Sequence, residues 1–258
     1  MTNQAKALSI IPITLVLLGI LLWTAQPTLD TEHTQAPPVP DFAAIKDVKT
    51  KKETFFRFML PRVRAANDRV LAQRAALEEI AAKMARGTIP DDDEAAFLQE
   101  LTVTYRLKED PAGSPAAMQE LLKRVDIIPA SLVLAQSANE SAWGTARFAR
   151  HGKNFFGLWC WSENCGLVPN QRDDGARHEV ASFQTIQESV DYYVLTINSH
   201  PAYQTLREIR YQHRQQGKPL TGAALSTGLL NYSERREAYV DEIRAMIRIN
   251  KLSRFNRA

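Results

Sequence analysis

A dense apolar run opens at Pro129 and ends on a carboxylate, Glu140, followed at once by Ser141-Ala142-Trp143-Gly144. Pro129 sits where the first turn of a helix tolerates proline. Leu132, Leu134, Ala135 and Ala138 supply a face to bury, and Gly144 stands where a chain leaves a helix. A helix this apolar must be wrapped by others, so the run predicts a core helix that delivers Glu140 at its C-terminal end. That end carries partial negative charge and disfavours a second anion. Partial burial beside Trp143 works in the same direction, raising the pKa. A carboxyl group kept protonated near neutral pH is a proton donor for general acid chemistry. The competing reading is a solvated or salt-bridged surface glutamate.

The rest of the chain supports a mainly helical body. It has 258 residues, 45% of them hydrophobic and 24% charged, enough for a buried core. A net charge of +3 is too mild to argue for nucleic acid, and it does not oppose an anionic polymer. Residues 7–29 are uncharged, with an apolar stretch from Leu8 to Trp23 at the short edge of a membrane span. Cleavage after Ala25 would put Trp23 where a small residue belongs, so residues 1–25 read as an uncleaved anchor in preference to a signal peptide. Lys6 before the run, against Asp30 and Glu32 after it, orients the N-terminus to the cytoplasm. The body is then exported, on the periplasmic side of the inner membrane. Cys160 and Cys165, four residues apart around a turn-like insert, fit a small disulfide loop in an oxidising compartment. The alternative, zinc with His151 or His178, lacks a second cysteine pair or a His-x-x-x-His; no metal and no cofactor are expected.

Pro27, Pro37, Pro38 and Pro40 make residues 26–41 a linker. Helical periodicity starts at Phe42, breaks or restarts at Pro61, and continues as a long amphipathic helix over residues 62–86. Asp91-Asp92-Asp93-Glu94 reads as a helix start, acid where an N-terminus welcomes it, and not as a metal site. Ser114-Pro115 opens a helix to about Val125. Between Asn154 and Phe183, glycines, turn residues and aromatics replace the helical pattern, and one small β-hairpin lobe is expected. Helices return over 187–199, 203–216 and 235–250. The division is an N-terminal helical part at 42–128, a core at 129–250 and a tail at 251–258.

Glu140-Ser141-Ala142-Trp143-Gly144-Thr145, followed by Asn154-Phe155-Phe156-Gly157-Leu158, resembles the signature of the bacterial N-acetylglucosaminidase domain. Val180-Ala181-Ser182-Phe183, Glu188 to Tyr193, and Tyr232-Ser233 with Tyr239-Val240 resemble its later segments. Lys51-Lys52-Glu53-Thr54-Phe55-Phe56 is similar to a run of the Bax-type subgroup, which is unrelated to the eukaryotic apoptosis protein of that name. The resemblance spans roughly residues 42–250. It implies a lysozyme-like fold in which Glu140 ends a core helix and faces the β-lobe across a sugar-binding cleft. The partner would be peptidoglycan glycan strands, cut at the β-1,4 bond beside N-acetylglucosamine.

Such chemistry needs help at the second face of the sugar. Retaining carboxyl pairs stand about 5–5.5 Å apart and inverting pairs about 6.5–9.5 Å apart. Related domains often carry a second acid in the β-lobe, but here the corresponding stretch, Val168 to Arg172, has none. Glu163, Asp173, Asp174 and Glu179 are nearby, of which Glu179 lies in an expected strand. The substrate's own 2-acetamido group, with Tyr232 orienting it, is the alternative. Tyr232 occupies the position of the family's cleft tyrosine. Trp143, Trp159 and Trp161 offer stacking faces, Phe183 falls at a family aromatic position, and Asn154 is either a substrate contact or a local hydrogen-bonding residue. Two rival functions stay open: a lytic transglycosylase, and a tethered wall-binding scaffold without turnover.

Overall fold

The computed structural model describes residues 38–169, 175 and 177–256. The expected anchor at 1–25, most of the linker, and Asn170 to Asp174 lie outside the described residues. Pro40–Ala258 forms one compact unit. Among the described residues, no helix is long and apolar enough to cross a membrane.

Helix α1, Val48–Ala85, is the longest element, and Pro61 lies inside it. The break expected at Pro61 does not occur. Proline removes one backbone donor and crowds the carbonyl four residues back, at a cost of about 3 kcal/mol. That carbonyl belongs to exposed Arg57, where water can bind it. Meanwhile the flanking Phe55, Phe56, Phe58, Met59 and Val63 are all buried, so packing holds the helix through the defect. Arg62 reinforces it, donating from Nη1 to the Phe58 carbonyl at 2.6 Å.

Helix α2, Asp92–Thr104, starts on a capping box: Asp91 accepts from the Glu94 N–H while Glu94 accepts from the Asp91 N–H. The acidic run is therefore a helix start, as its sequence predicts. Helix α3, Pro115–Arg124, is capped by Ser114. Helix α4, Ala130–Glu140, is the core helix: every residue from Ala130 to Ala138 is buried, the polar Ser131, Gln136 and Ser137 included. It is surrounded, not one-faced, which is why its sequence is apolar nearly all round.

After α5, Arg147–Gly152, comes the β-lobe. It holds β1 (Trp159–Cys160), β2 (Gly166–Leu167) and β3 (Glu179–Ala181) in the order β1-β3-β2. Both pairings are antiparallel, with Trp159 opposite Val180 and Leu167 also opposite Val180. The lobe is thus a three-stranded sheet with β3 at its centre, one strand more than the single hairpin expected. The strands are too short for alternation to announce them. The Cys160–Cys165 disulfide closes the loop between β1 and β2, with Cα atoms 6.2 Å apart.

Helix α6, Ile186–Ser199, is capped by Thr185, and a 3-10 turn, Pro201–Tyr203, leads into α7, Gln204–Gln215. The short α8, Gly222–Leu225, and the 3-10 turn Ser226–Leu229 precede α9, Arg236–Ile249. A final 3-10 turn, Leu252–Phe255, packs on α4, as do α1, α8 and α9. The result is a mainly helical body with a small sheet beside the C-terminal end of α4.

Candidate active site

Glu140 is the last residue of α4, and the chain turns away from it through three successive left-handed residues, Ala142, Trp143 and Gly144. Gly144 is the position that admits nothing else, since a Cβ there would stand 2.3 Å from the Phe42 ring. The Ser141 hydroxyl ties the turn, donating to the Ser137 carbonyl at 2.6 Å and accepting from the Gly144 N–H at 2.8 Å. This fixes the exit of the chain and hence the direction of the carboxyl.

The half-buried carboxyl lies in the wall of a groove of about 920 Å³. Its Oε1 accepts from the Tyr239 hydroxyl at 2.8 Å. Behind that contact runs a buried relay: Gln136 Nε2 donates to the Tyr239 oxygen at 2.9 Å, and the Tyr193 hydroxyl donates to Gln136 Oε1. Tyr239 stacks on Tyr232 with ring centroids 5.5 Å apart, and Tyr193 stacks on Phe156 at 4.2 Å. Burial among these rings raises the Glu140 pKa, with the charge of Glu242 adding to it. The hydrogen bonds from Tyr239 and Asn139, and the charge of Arg235, oppose it without cancelling it. Burial likewise raises the pKa values of Tyr239 and Tyr232, and that of Tyr203 to about 12, so all three stay neutral phenols.

Gly157 lies on the other side of the carboxyl, at φ 63°, and a Cβ there would sit 3.9 Å from Glu140 Oε2. A side chain at 157 would be strained in the left-handed region, and its Cβ would reach van der Waals contact with Oε2 of the acid.

The groove brings together several of the residues singled out in the sequence. Tyr232 lines it, with its hydroxyl donating to the Phe156 carbonyl at 2.8 Å. Trp159 and Trp161 line it too, 52% and 71% exposed, with His178 stacked on Trp159 at 4.4 Å. Three others are placed elsewhere. Trp143 packs edge-on against Phe55 and Phe56, with Lys52 Nζ 5.1 Å from its ring centre. It does not line the groove, and the apolar surroundings of Glu140 come from tyrosines and Phe156 instead. The Lys-Lys-x-x-Phe-Phe run is this packing: Lys52, Phe55 and Phe56 share one helix face and receive the tryptophan. Phe183 packs on Tyr192 and also stands outside the groove lining. Asn154 is buried and wholly local, donating to the carbonyls of Leu158 and Ala181 and accepting from the N–H groups of Phe156 and Leu158.

Glu179 requires a correction. It is buried in β3, and its carboxylate accepts from the N–H groups of Asn164 at 3.2 Å and Gly166 at 2.7 Å. Both oxygens hold the disulfide loop in place, so the side chain does not face substrate. Its carboxylate lies within 4.8 Å of both cysteine sulfurs, but the sulfurs are bonded to each other and offer no thiolate.

Sequence reasoning missed Tyr239 as a partner of the acid, together with the Gln136–Tyr193 relay. The signal was present in the Tyr239-Val240 segment, though only the fold shows that its ring turns toward α4. It also missed Glu234. Among the described residues that line the groove, Glu234 is the one acid besides Glu140.

A core helix ending in a sheltered acid, tyrosines beneath it and a tryptophan-bearing β-lobe beside the groove is the arrangement expected of a carbohydrate-cleaving domain. The Glucosaminidase family, described as mannosyl-glycoprotein endo-beta-N-acetylglucosaminidase, matches residues 115–252, and the chain belongs to it. Within that family it is of the bacterial Bax type. It is 31% identical over 213 residues to Protein bax of Escherichia coli (strain K12), covering 83% of this chain and 74% of that protein. No solved structure matches it.

Proposed function

We propose that the protein hydrolyses the β-1,4 bond on the reducing side of N-acetylglucosamine in peptidoglycan, with Glu140 as general acid. The observation that carries this reading is the Glu140 carboxyl, held by Tyr239 in a groove whose walls raise its pKa. Protonated, it gives its proton to the glycosidic oxygen as the bond to the anomeric carbon breaks, and the leaving sugar departs as an alcohol. The carboxylate left behind is stabilised by the Tyr239 hydroxyl, a charge-assisted hydrogen bond that strengthens as charge develops.

The oxocarbenium-like sugar is met by the oxygen of its own 2-acetamido group. Tyr232 suits this step. Its proton is committed to the Phe156 carbonyl, which leaves lone pairs on its oxygen to accept from the acetamido N–H. Water then opens the cyclic intermediate, giving its proton back to Glu140. Trp159 and Trp161 offer apolar faces for neighbouring sugar rings. The Cys160–Cys165 bond supports action in an oxidising compartment, consistent with a periplasmic domain carried by the N-terminal apolar run.

The test is product identity. Sacculi are digested, reduced with borohydride and analysed by mass spectrometry; new reducing ends on N-acetylglucosamine are expected. Anhydro-muramic ends would assign a transglycosylase, and no new ends at any pH would leave a binding protein.

A further inference from the structure

A second cavity, of about 560 Å³, adjoins the groove. Arg106 and His200 line both, so the two share a wall. Its floor is apolar, from Leu107, Ala117 and Pro201, and Arg106 and Lys108 bring cations to it. Arg124 also reaches it but is satisfied, by Glu120 at 2.7 Å and by the carbonyls of Tyr105 and Arg106. Arg106 and Lys108 have no acidic partner within ion-pair distance among the described residues. Glu109, exposed at the rim, leaves the cavity with excess positive charge.

Two further observations point to a ligand here. The Ser199 hydroxyl, on a fully buried residue of this wall, has no hydrogen-bond partner among the described residues. His200 accepts the Ala202 N–H on Nδ1, so its neutral ring carries its proton on Nε2 as a donor. Burial lowers the His200 pKa, and the charges of Arg106 and Arg207 add to it.

We propose that this second cavity receives the peptide that hangs from the muramic acid residue adjoining the bond in the groove: a short chain that carries alanyl methyl groups and free carboxylates. The alanyl methyl groups lie on Leu107, Ala117 and Pro201, and a carboxylate meets Arg106 and Lys108. The inference rests on the glycan reading of the main groove, and it extends that reading from bare glycan to peptide-bearing strands.

The experiment uses the full chain carrying Glu140→Gln, so that nothing is consumed, titrated calorimetrically with two probes. Muramyl dipeptide has the alanine and one free carboxylate; chitotriose has sugar alone. Lys108→Glu is expected to weaken muramyl dipeptide binding by roughly three- to tenfold, the scale of one exposed charge contact reversed, and to leave chitotriose unchanged. Ala116→Trp, which fills the cavity from an exposed position of α3, is expected to weaken the dipeptide at least as much. Circular dichroism confirms the fold of each variant. Equal affinities across the variants, or equal weakening of both probes, overturns the peptide subsite. Failure of the parent to bind chitotriose overturns the glycan reading of the groove itself.

Discussion

Asp126 and Glu140 are both carboxylic acids withdrawn from water in one helical body, and their surroundings drive them in opposite directions. Asp126 lies in the link between α3 and α4. Burial works to raise its pKa, but a bidentate contact from Arg214, at 2.6 and 2.9 Å, and the charges of Arg210 and Arg74 at 3.7 and 3.6 Å outweigh it and lower the pKa. Arg210 is fully buried, its own pKa depressed to about 10 by desolvation, and it also binds the Asp126 and Lys123 carbonyls. Against Glu140 stand two neutral donors, a phenol and an amide, and the charge of Arg235, with no cation at ion-pair distance among the described residues, so burial prevails and the pKa rises. Burial alone therefore does not identify an acid catalyst. What distinguishes the two is whether cations bond the group directly, as three arginines do Asp126, and whether the group opens onto a groove.

The same chemical change at the two sites is the strongest way to break this contrast. Glu140→Gln should reduce sacculus hydrolysis by about 10²–10⁴-fold, the usual contribution of a general acid. Its stability should move the other way. A carboxyl whose folded pKa is raised contributes stability that is present at low pH and lost as pH rises through that pKa. Glutamine escapes the loss, so the variant should melt higher than the parent at about pH 8 and equally at about pH 4, by calorimetry. Retained hydrolysis would mean that another group supplies the proton.

Asp126→Asn should instead cost about 3–5 kcal/mol in denaturant unfolding, because Arg210 keeps its burial and loses its counter-ion. Specific activity per folded molecule should hold. The pH sign is reversed: a depressed carboxyl contributes above its unfolded pKa and loses its contribution as pH falls through the folded one. The variant should therefore lose part of the parent's acid sensitivity. A loss under about 1 kcal/mol would show the arginines to be satisfied by carbonyls alone.

How much of this was legible in the sequence follows the range of the forces involved. The helix ending at Glu140, the caps at Asp91 and Ser114, and the turn at Gly144 are local, set by residues within a few positions, and the sequence marks them directly. The helix through Pro61 is not local, since distant residues bury its flanks. The aromatic placements divide in the same way. Trp159 and Trp161 flank Cys160, at the mouth of a small polar disulfide loop suited to the surface, so their exposure could be anticipated. Trp143 looked like a partner of its sequence neighbour Glu140, yet the left-handed turn swings it onto Phe55 and Phe56 of α1. Tyr239 comes from α9, nearly a hundred positions further on (|i−j| = 99), and no spacing rule connects it to Glu140.

A smaller change sharpens the contrast within the site. Tyr239→Phe removes the hydrogen bond that works against the raised pKa of Glu140 and leaves the Gln136 amide without its phenol acceptor. Stability should fall by about 1–3 kcal/mol, the cost of an unpaired buried polar group. Turnover should fall by roughly tenfold, since the carboxylate formed on proton transfer loses one hydrogen bond. The alkaline limb of the pH–rate profile should move to higher pH, because the acid holds its proton more firmly. An alkaline limb that stays in place would show that Glu140 is not the group titrating there.

The smallest expected effect decides how the second face of the sugar is served. Glu234 lines the groove, but it is exposed, on the loop before α9, and no hydrogen bond orients its side chain among the described residues. Tyr232, two positions earlier, is fixed by the Phe156 carbonyl and stacked on Tyr239. Positioning a nucleophile requires the second kind of environment, not the first. If the acetamido oxygen attacks, Glu234→Gln should change kcat by less than about threefold, whereas a lost general base or nucleophile would cost about 10² or more. Measured on chitin oligomers with and without the N-acetyl group, the parent should cleave only the acetylated substrate, and Glu234→Gln should keep that preference. Hydrolysis of the de-acetylated oligomer, lost on Glu234→Gln, would transfer the role to the carboxylate.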